Sequence, residues 1–171
     1  TTNYLILGEA LEAVTGDAIE DVVNGVVAEV GLTQTALPAP EDNEVPDPAT
    51  HGYVFDAGVA TLAASGATVD SGTDVTDWSV AWGGAGGSMY STIDDLGAWA
   101  ASGFGNTLLA EQTAVERLDT TVLPDVGLGY GNGIIAFGDT DWIGHTGQVI
   151  GWETIAAYDT GTGDVFVGMV N

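Results

Sequence analysis

The sequence predicts an α+β fold: an antiparallel sheet of three to four carboxy-terminal strands packed with helices. Three observations carry this. Apolar residues recur at spacings of three and four over residues 3–30, the period of an amphipathic helix. The last third instead holds short branched and aromatic runs separated by turn residues, which read as strands of a meander. Hydrophobic residues fill 45% of 171 positions, enough for one domain's core and unlike a disordered tail.

Taken in order, residues 3–15 form a helix whose inward face is Tyr4, Leu7, Leu11 and Val14, stopped at Gly16. Asp17 is placed to cap a second helix, with Glu20 in capping-box position. Ile19, Val22, Val23, Val26, Val27 and Val30 form its stripe and Gly31 ends it. Residues 32–84 read as a loop-rich excursion, broken by Pro38, Pro40, Pro46 and Pro48, with short strands near His51–Phe55. Ser91 or Thr92 caps a third helix that turns Leu96, Trp99 and Ala100 inward. A fourth covers residues 110–119 and buries Val115 and Leu118. The strands are 134–137, 142–146, 150–158 and 164–170, the last pair joined by the turn-rich loop 159–164. No internal repeat is visible, and the order of helices, excursion, helices and meander is that of an α+β domain.

Charge narrows the function. The chain carries 25 acidic residues against one basic residue, Arg117, for a net charge of −24. Such a field repels phosphate backbones and anionic lipid, which argues against nucleic-acid binding and membrane docking. Acid excess without any lysine points to a salt-adapted protein. No cysteine is present, so neither disulfides nor thiolate chemistry arise. His51 and His145 lie far apart without metal-ligand spacing, and neither a metal nor another cofactor is expected. No apolar run is long enough to span a membrane. The chain opens on Thr1 without a signal-peptide pattern, and a processed or truncated product is expected.

One polar cluster interrupts the apolar last third: Gly144-His145-Thr146-Gly147-Gln148. Glycines admit a close backbone or ligand, threonine offers a hydroxyl, and imidazole donates, accepts or carries a proton near neutral pH. The bland reading is a satisfied core histidine beside a strand bulge. His51 shows no chemical partner in sequence and reads as a loop residue. The five tryptophans are read as core rather than as a sugar platform.

Several stretches, in order, resemble the penicillin-recognising serine hydrolases, which comprise serine beta-lactamases, D-alanyl-D-alanine carboxypeptidases and related esterases. They are Thr1–Gly8, Glu12–Gly16, Gly52-Tyr53, the Ala85-Gly86-Gly87-Ser88 to Asp95-Leu96 block, Gly129-Tyr130-Gly131, and His145-Thr146-Gly147. The last looks like that family's third motif, Lys-Thr-Gly or His-Thr-Gly. The resemblance implies that residues 1–171 are the carboxy-terminal portion of one beta-lactamase-like domain of the transpeptidase type, with the excursion at about 32–84. It implies that His145 has an electrophilic and proton-assisting role, that Thr146 and Gly147 bind substrate, and that the Gln148 backbone N–H is an oxyanion donor. Thr1 would stand where the second motif, Tyr-x-Asn, has its asparagine. The first motif, Ser-x-x-Lys, cannot be present in a chain without lysine. The implied activity is therefore part of a serine hydrolase acting through an acyl-enzyme on D-Ala-D-Ala peptides, beta-lactams or esters, and the chain alone is expected to be inactive. Its expected partners are such small substrates, with either a missing amino-terminal half or a second chain at the exposed last strand. The family also implies an extracytoplasmic location.

Two other readings remain at this point. A hydrolase built on His145 and a serine would use Ser88, but Ser88 lacks the Gly-x-Ser-x-Gly elbow. A non-catalytic acidic binding domain has only the charge in its favour, and charge excess is usually a solvated face.

The charge makes a prediction of its own. Self-repulsion opposes the compact state and salt screens it. The melting temperature is expected to rise from low to molar salt, and a flat or falling trend in thermal melts would remove the salt-adapted reading.

Overall fold

The computed structural model describes residues 2–42, 45–79, 81–119, 121–123 and 126–171. Five α-helices and two sheets organise them: α1 (Thr2–Thr15), α2 (Ile19–Val30), β1 (Tyr53–Val54), α3 (Asp56–Ala64), β2 (Thr73–Asp74), α4 (Ile93–Trp99), α5 (Glu111–Arg117), β3 (Thr121–Leu123), β4 (Leu128–Tyr130), β5 (Ile135–Ala136), β6 (Trp142–Val149), β7 (Trp152–Asp159) and β8 (Val165–Val170). β3 to β8 form one six-stranded antiparallel meander in sequence order, and β1 pairs with β2 in a separate ribbon. The four expected strands are all present, preceded in the sheet by β3 and β4. Those two span only three residues each, too short to show an alternating pattern in sequence.

The longest ladder joins β6 to β7, from Trp142–Asp159 to Val149–Trp152. Its two-residue turn, Ile150-Gly151, places Gly151 at φ 93°, a conformation that disfavours any side chain. One face of the sheet packs on α4 and the π-helical turn Ala100–Phe104 that extends it. Ala100, Phe104, Ile134, Ile143 and Ala156 are the buried centre, flanked by Leu96, Trp99, Leu118 and Tyr158. Arg117 closes this layer: its guanidinium donates to the Gly103 carbonyl at 2.6 Å and lies 5.7 Å from the centre of the Phe104 ring. Thr92 caps α4, its hydroxyl accepting from the Asp95 N–H at 3.3 Å.

Four expectations need correction. The excursion is not merely loop. It contains α3 and the β1–β2 ribbon, and Val54, Leu62 and Val75 form a second small core there with Ile150 and Trp152 from the hairpin tip. The α3 sequence, Asp56–Ala64, is mostly small residues without an apolar stripe, so periodicity does not reveal it. The start of α2 is not capped by Asp17. Ala18 holds the cap position without a side-chain bond, and the Glu12 carboxylate at the end of α1 accepts the Ile19 N–H at 2.9 Å instead. A carboxylate at a helix start serves the same unpaired donors and the helix dipole. The predicted inward face of α1 is only partly covered. Gly8 is its buried residue and Tyr4 is half-buried, while Leu7, Leu11 and Val14 are exposed, Val14 at 85%. Val115 is likewise exposed at 67%, whereas Leu118 packs on the core. Periodicity identifies which face is apolar, but not whether this chain supplies the surface that covers it.

β8 is the last strand of the sheet, and its Val165, Phe166, Met169 and Val170 are exposed. Its outer backbone has no strand partner among the described residues, the kind of edge that offers a template for pairing. On the sheet face away from α4, Phe137, Trp142, Ile155, Ala157 and Phe166 line an apolar cavity of about 380 Å³. Among the described residues no helix is long and apolar enough to cross a membrane.

These burials predict a contrast in stability. Ile134, fully buried at the centre of the core, is expected to cost about 2–5 kcal/mol when replaced by Ala. Val115→Ala, despite the apolar stripe, is expected to stay within about 0.5 kcal/mol of wild type. Urea unfolding of the two variants decides it, and a comparable loss at both positions would contradict this burial.

Candidate functional site

β6 changes character halfway along. Ile143 and Gly144 are buried, His145 is half-buried, and Thr146, Gly147 and Gln148 are exposed. A β-carbon on Gly144 would lie 2.1 Å from the Ala156 carbonyl oxygen, so only glycine lets β7 approach here. β5 pairs with β6 at Ile143 and Gly144 and no further. From His145 outward the β5 side of β6 therefore has no strand partner among the described residues. Exposed backbone on an open half-strand is a surface on which an extended ligand can lie. Gly147 has a local reason as well: a β-carbon there would sit 2.5 Å from the Thr154 hydroxyl. The Gln148 side chain turns to β7 and donates to Glu153 at 2.7 Å.

His145 is held at both ring nitrogens. Nδ1 lies 2.6 Å from the Thr146 carbonyl, which only accepts, so Nδ1 carries a proton. Nε2 lies 3.0 Å from the Tyr130 hydroxyl, and the two rings meet edge to face at 5.7 Å. The Tyr130 hydroxyl is in turn 2.8 Å from that of Tyr4, 126 residues away in sequence. Tyr130 ends β4 and Tyr4 lies in the first turn of α1. The turn after β4 is tied to α5, because the Asn132 N–H donates to the Arg117 carbonyl at 3.1 Å and its side-chain amide to that of Glu116 at 3.3 Å. Burial, then the hydrogen bond and charge of Tyr4, push the Tyr130 phenol up from 10.0 to about 12. Burial lowers the Arg117 guanidinium pKa, and its attraction to an ionised Tyr4 opposes that.

His145, Thr146, Gly147 and Gln148 thus stand together on one strand, which runs past the expected end at residue 146 to Val149. Thr1 lies outside the described residues. Tyr4 and Tyr130 were not singled out as site residues by sequence. Both lie in stretches that carry the resemblance, Thr1–Gly8 and Gly129-Tyr130-Gly131, but Tyr4 was read only as part of an apolar helix face and Tyr130 was given no role. The His145 ring nitrogens meet Tyr130 and the Thr146 carbonyl, and Ser88 is not their partner. It is 1% exposed and lines a small crevice with Ile19, Leu37, Pro38 and Gly84, below α2. His51 is a loop residue but not without a partner: its Nδ1 lies 2.8 Å from the Asp74 carboxylate. Hydrogen bonds from Thr76, then from His51, hold Asp74 down at about 2. Among the described residues no group of three or more His, Asp or Glu is arranged to hold a metal.

Comparison with known families gives one match, a family described as Beta-lactamase, over residues 1–171. The chain belongs to the beta-lactamase family. Solved structures share the fold. A D-stereospecific amidohydrolase from Streptomyces sp. superposes with a TM-score of 0.84 at 24% identity, covering 99% of this chain and 48% of its own. The D-amino acid amidase of Ochrobactrum anthropi SV3, solved with D-phenylalanine, gives 0.77 at 24% identity, covering 98% and 49%. A penicillin binding protein from Bacillus halodurans gives 0.77 at 19% identity, again covering 98% and 49%. This beta-lactamase-family chain spans about half the length of those structures. The comparison with curated proteins gave no match.

The raised Tyr130 pKa sets an alkaline limit. The unfolded phenol ionises near pH 10, while the folded one keeps its proton to about 12. The fold therefore gains the full contribution of this group below pH 10 and loses it as pH rises through 12. Thermal melts of wild type are expected to fall across that window more steeply than those of Tyr130→Phe. Parallel curves would mean that Tyr130 ionises as it does in the unfolded chain.

Proposed function

We propose that this chain supplies the substrate-binding strand of a serine hydrolase that cleaves amide or ester bonds through an acyl-enzyme. The observation that carries the reading is the outer half of β6, where His145, Thr146, Gly147 and Gln148 border an open strand edge. The nucleophile and its lysine come from outside this sequence, which contains no lysine and spans half the length of its structural relatives.

In this reading a substrate carbonyl lies along the open edge of β6. The serine oxygen attacks the carbonyl carbon while its proton passes to the lysine of the Ser-x-x-Lys motif. The Gln148 backbone N–H and that of the nucleophile stabilise the oxyanion, and one such donor is typically worth about 10²–10³ in rate. The leaving amine or alcohol departs with a proton, water attacks the acyl-serine, and the acid is released. Thr146 offers its hydroxyl to the substrate's carboxylate or carbonyl. His145 supplies the polarising, proton-assisting group on the leaving side. Two relatives of this fold are named for D-configured substrates, a D-stereospecific amidohydrolase and a D-amino acid amidase. Amides and short peptides with a D-residue at the acyl centre are the substrate class we assign, with beta-lactams and esters as mimics. The apolar β8 edge and the exposed faces of α1 and the sheet are where the complementary half packs.

An independent Ser–His hydrolase is disfavoured because the hydrogen-bond partners of the His145 ring are Tyr130 and the Thr146 carbonyl rather than a serine of this chain. The test is intact-mass measurement after incubation with a fluorescent penicillin and with an activated ester. The chain alone is expected to stay unmodified. Acylation is expected when the Ser-x-x-Lys polypeptide encoded upstream is added, and to fall by about 10²-fold or more with His145→Ala. A covalent adduct on a serine of this chain by itself, lost in His145→Ala, would overturn the reading.

A further inference from the structure

The pair Tyr4–Tyr130 does more than fill space beside His145, because its hydroxyls satisfy the imidazole in both protonation states. With His145 neutral, Nδ1 donates to the Thr146 carbonyl and Nε2 must accept. The Tyr130 hydroxyl then donates to Nε2, and Tyr4 donates to Tyr130. With His145 protonated, Nε2 becomes a donor and Tyr130 must accept. The Tyr130 proton then turns to the Tyr4 oxygen. The imidazole and the Tyr130 hydroxyl are satisfied in both states, which differ by the proton on Nε2 and by the direction of the Tyr130 and Tyr4 O–H bonds.

We propose that Tyr4 is a positioning residue for His145: its hydroxyl oxygen accepts a hydrogen bond from Tyr130 whenever His145 is charged, and so lets the imidazole take up and release a proton in place. The inference rests on His145 being the working group of β6, as proposed above. It goes beyond that reading by assigning a role to a residue on α1 that reaches His145 through Tyr130. Removing the Tyr4 hydroxyl affects the two states unequally. When His145 is neutral, Tyr130 loses a bond to one oxygen lone pair. When His145 is charged, the half-buried Tyr130 O–H loses the acceptor that Tyr4 provides, and a donor left without a protein partner is the more costly defect. Tyr4→Phe therefore disfavours the charged imidazole.

The surroundings contain few competing charges. Tyr130 on β4 reaches the ring directly, and Tyr4 on α1 acts through it. Arg117 on α5 is coupled to Tyr4. The strand neighbours of Gly144 and His145, Ile135 on β5 and Ala156 on β7, are apolar. No carboxylate among the described residues is within ion-pair distance of His145, since the salt bridge found is that of His51 with Asp74.

The test is an NMR titration of the full chain. With two histidines in the sequence, both ring signals are assigned by one substitution at His51. In Tyr4→Phe the His145 midpoint is expected to fall by about 0.5–1 pH unit, the part of an unsatisfied-donor penalty that half-buried groups retain. The His51 midpoint, far from the relay, stays where it was. In a Tyr130→Phe background the same Tyr4→Phe change is expected to have no effect on His145, which a general loosening of α1 would not reproduce. An unchanged His145 midpoint in Tyr4→Phe with the fold intact by amide spectra overturns the proposal, as does a shift that persists without the Tyr130 hydroxyl. Should Tyr4→Phe fail to fold, Tyr4→Trp, which retains bulk while moving the polar atom, is read in the same way. The titration needs no acylation, so a failure here is distinct from a failure of the hydrolase reading, which the mass measurement detects.

Discussion

The close pairing of β6 with β7 is the constraint on which the rest of the molecule depends. At Gly144 the strands are so near that a β-carbon would lie 2.1 Å from the Ala156 carbonyl and 2.7 Å from the Ala157 α-carbon. That contact aligns Ile143 and Ala156 in one core beneath α4 and the π-helical turn. It also sets where the strand leaves the core, and so places His145 at the boundary with Thr146 to Gln148 outside. The other end of the ladder does a second job. Its tip residues Ile150 and Trp152 complete the small core of the excursion. The Trp152 indole donates to the Thr50 carbonyl at 3.2 Å, and the Asn171 amide to that of His51 at 2.6 Å. The hairpin therefore joins the two halves of the fold while presenting the candidate site on its free edge.

Polar groups at the interior edge are placed economically. His145, Tyr130 and Tyr4 form a line of hydrogen bonds from an exposed strand to the first turn of α1. Such chains polarise one another in a low-dielectric setting, and each group is costly if left alone. The one basic residue is used in the same region. Arg117 joins α5 to the turn at Gly103 and Phe104, and its own carbonyl fixes the turn after Tyr130 through Asn132. In a chain with 25 acidic residues this single cation is spent on holding the layer behind the site rather than on balancing the surface.

Exposed apolar side chains are grouped on α1 and along β8, which borders the apolar sheet face away from α4, and others stand on α2, α4 and α5. A chain this acidic resists self-association by charge repulsion, yet its apolar area calls for a cover. In the reading proposed above, a complementary half would cover this area without bringing a second net charge of −24 to the same face, as a like-charged copy would.

The sequence by itself determined the class of fold, both amino-terminal helices, the four long or apolar strands, and the polar cluster from His145 to Gln148 at the end of one of them. These are local properties: periodicity, glycine and turn residues, and a polar cluster inside an apolar run. The family resemblance added meaning to that cluster, but through ordered short stretches rather than any single motif. What only the tertiary structure decided is long-range. Tyr4 and Tyr130 are separated by 126 positions, and nothing in the local pattern of either distinguishes a core aromatic from a hydrogen-bonding partner of His145. The Glu12 cap on α2 replaced the nearer Asp17 because a carboxylate one helix away reached the free N–H groups. Helix α3 formed without an apolar stripe because Val59 and Leu62 meet Val54, Val75 and the hairpin tip from elsewhere in the chain. The stripe of α1 was legible, but its burial was not, since hydrophobic pattern specifies a face and only the assembled fold specifies what lies against it.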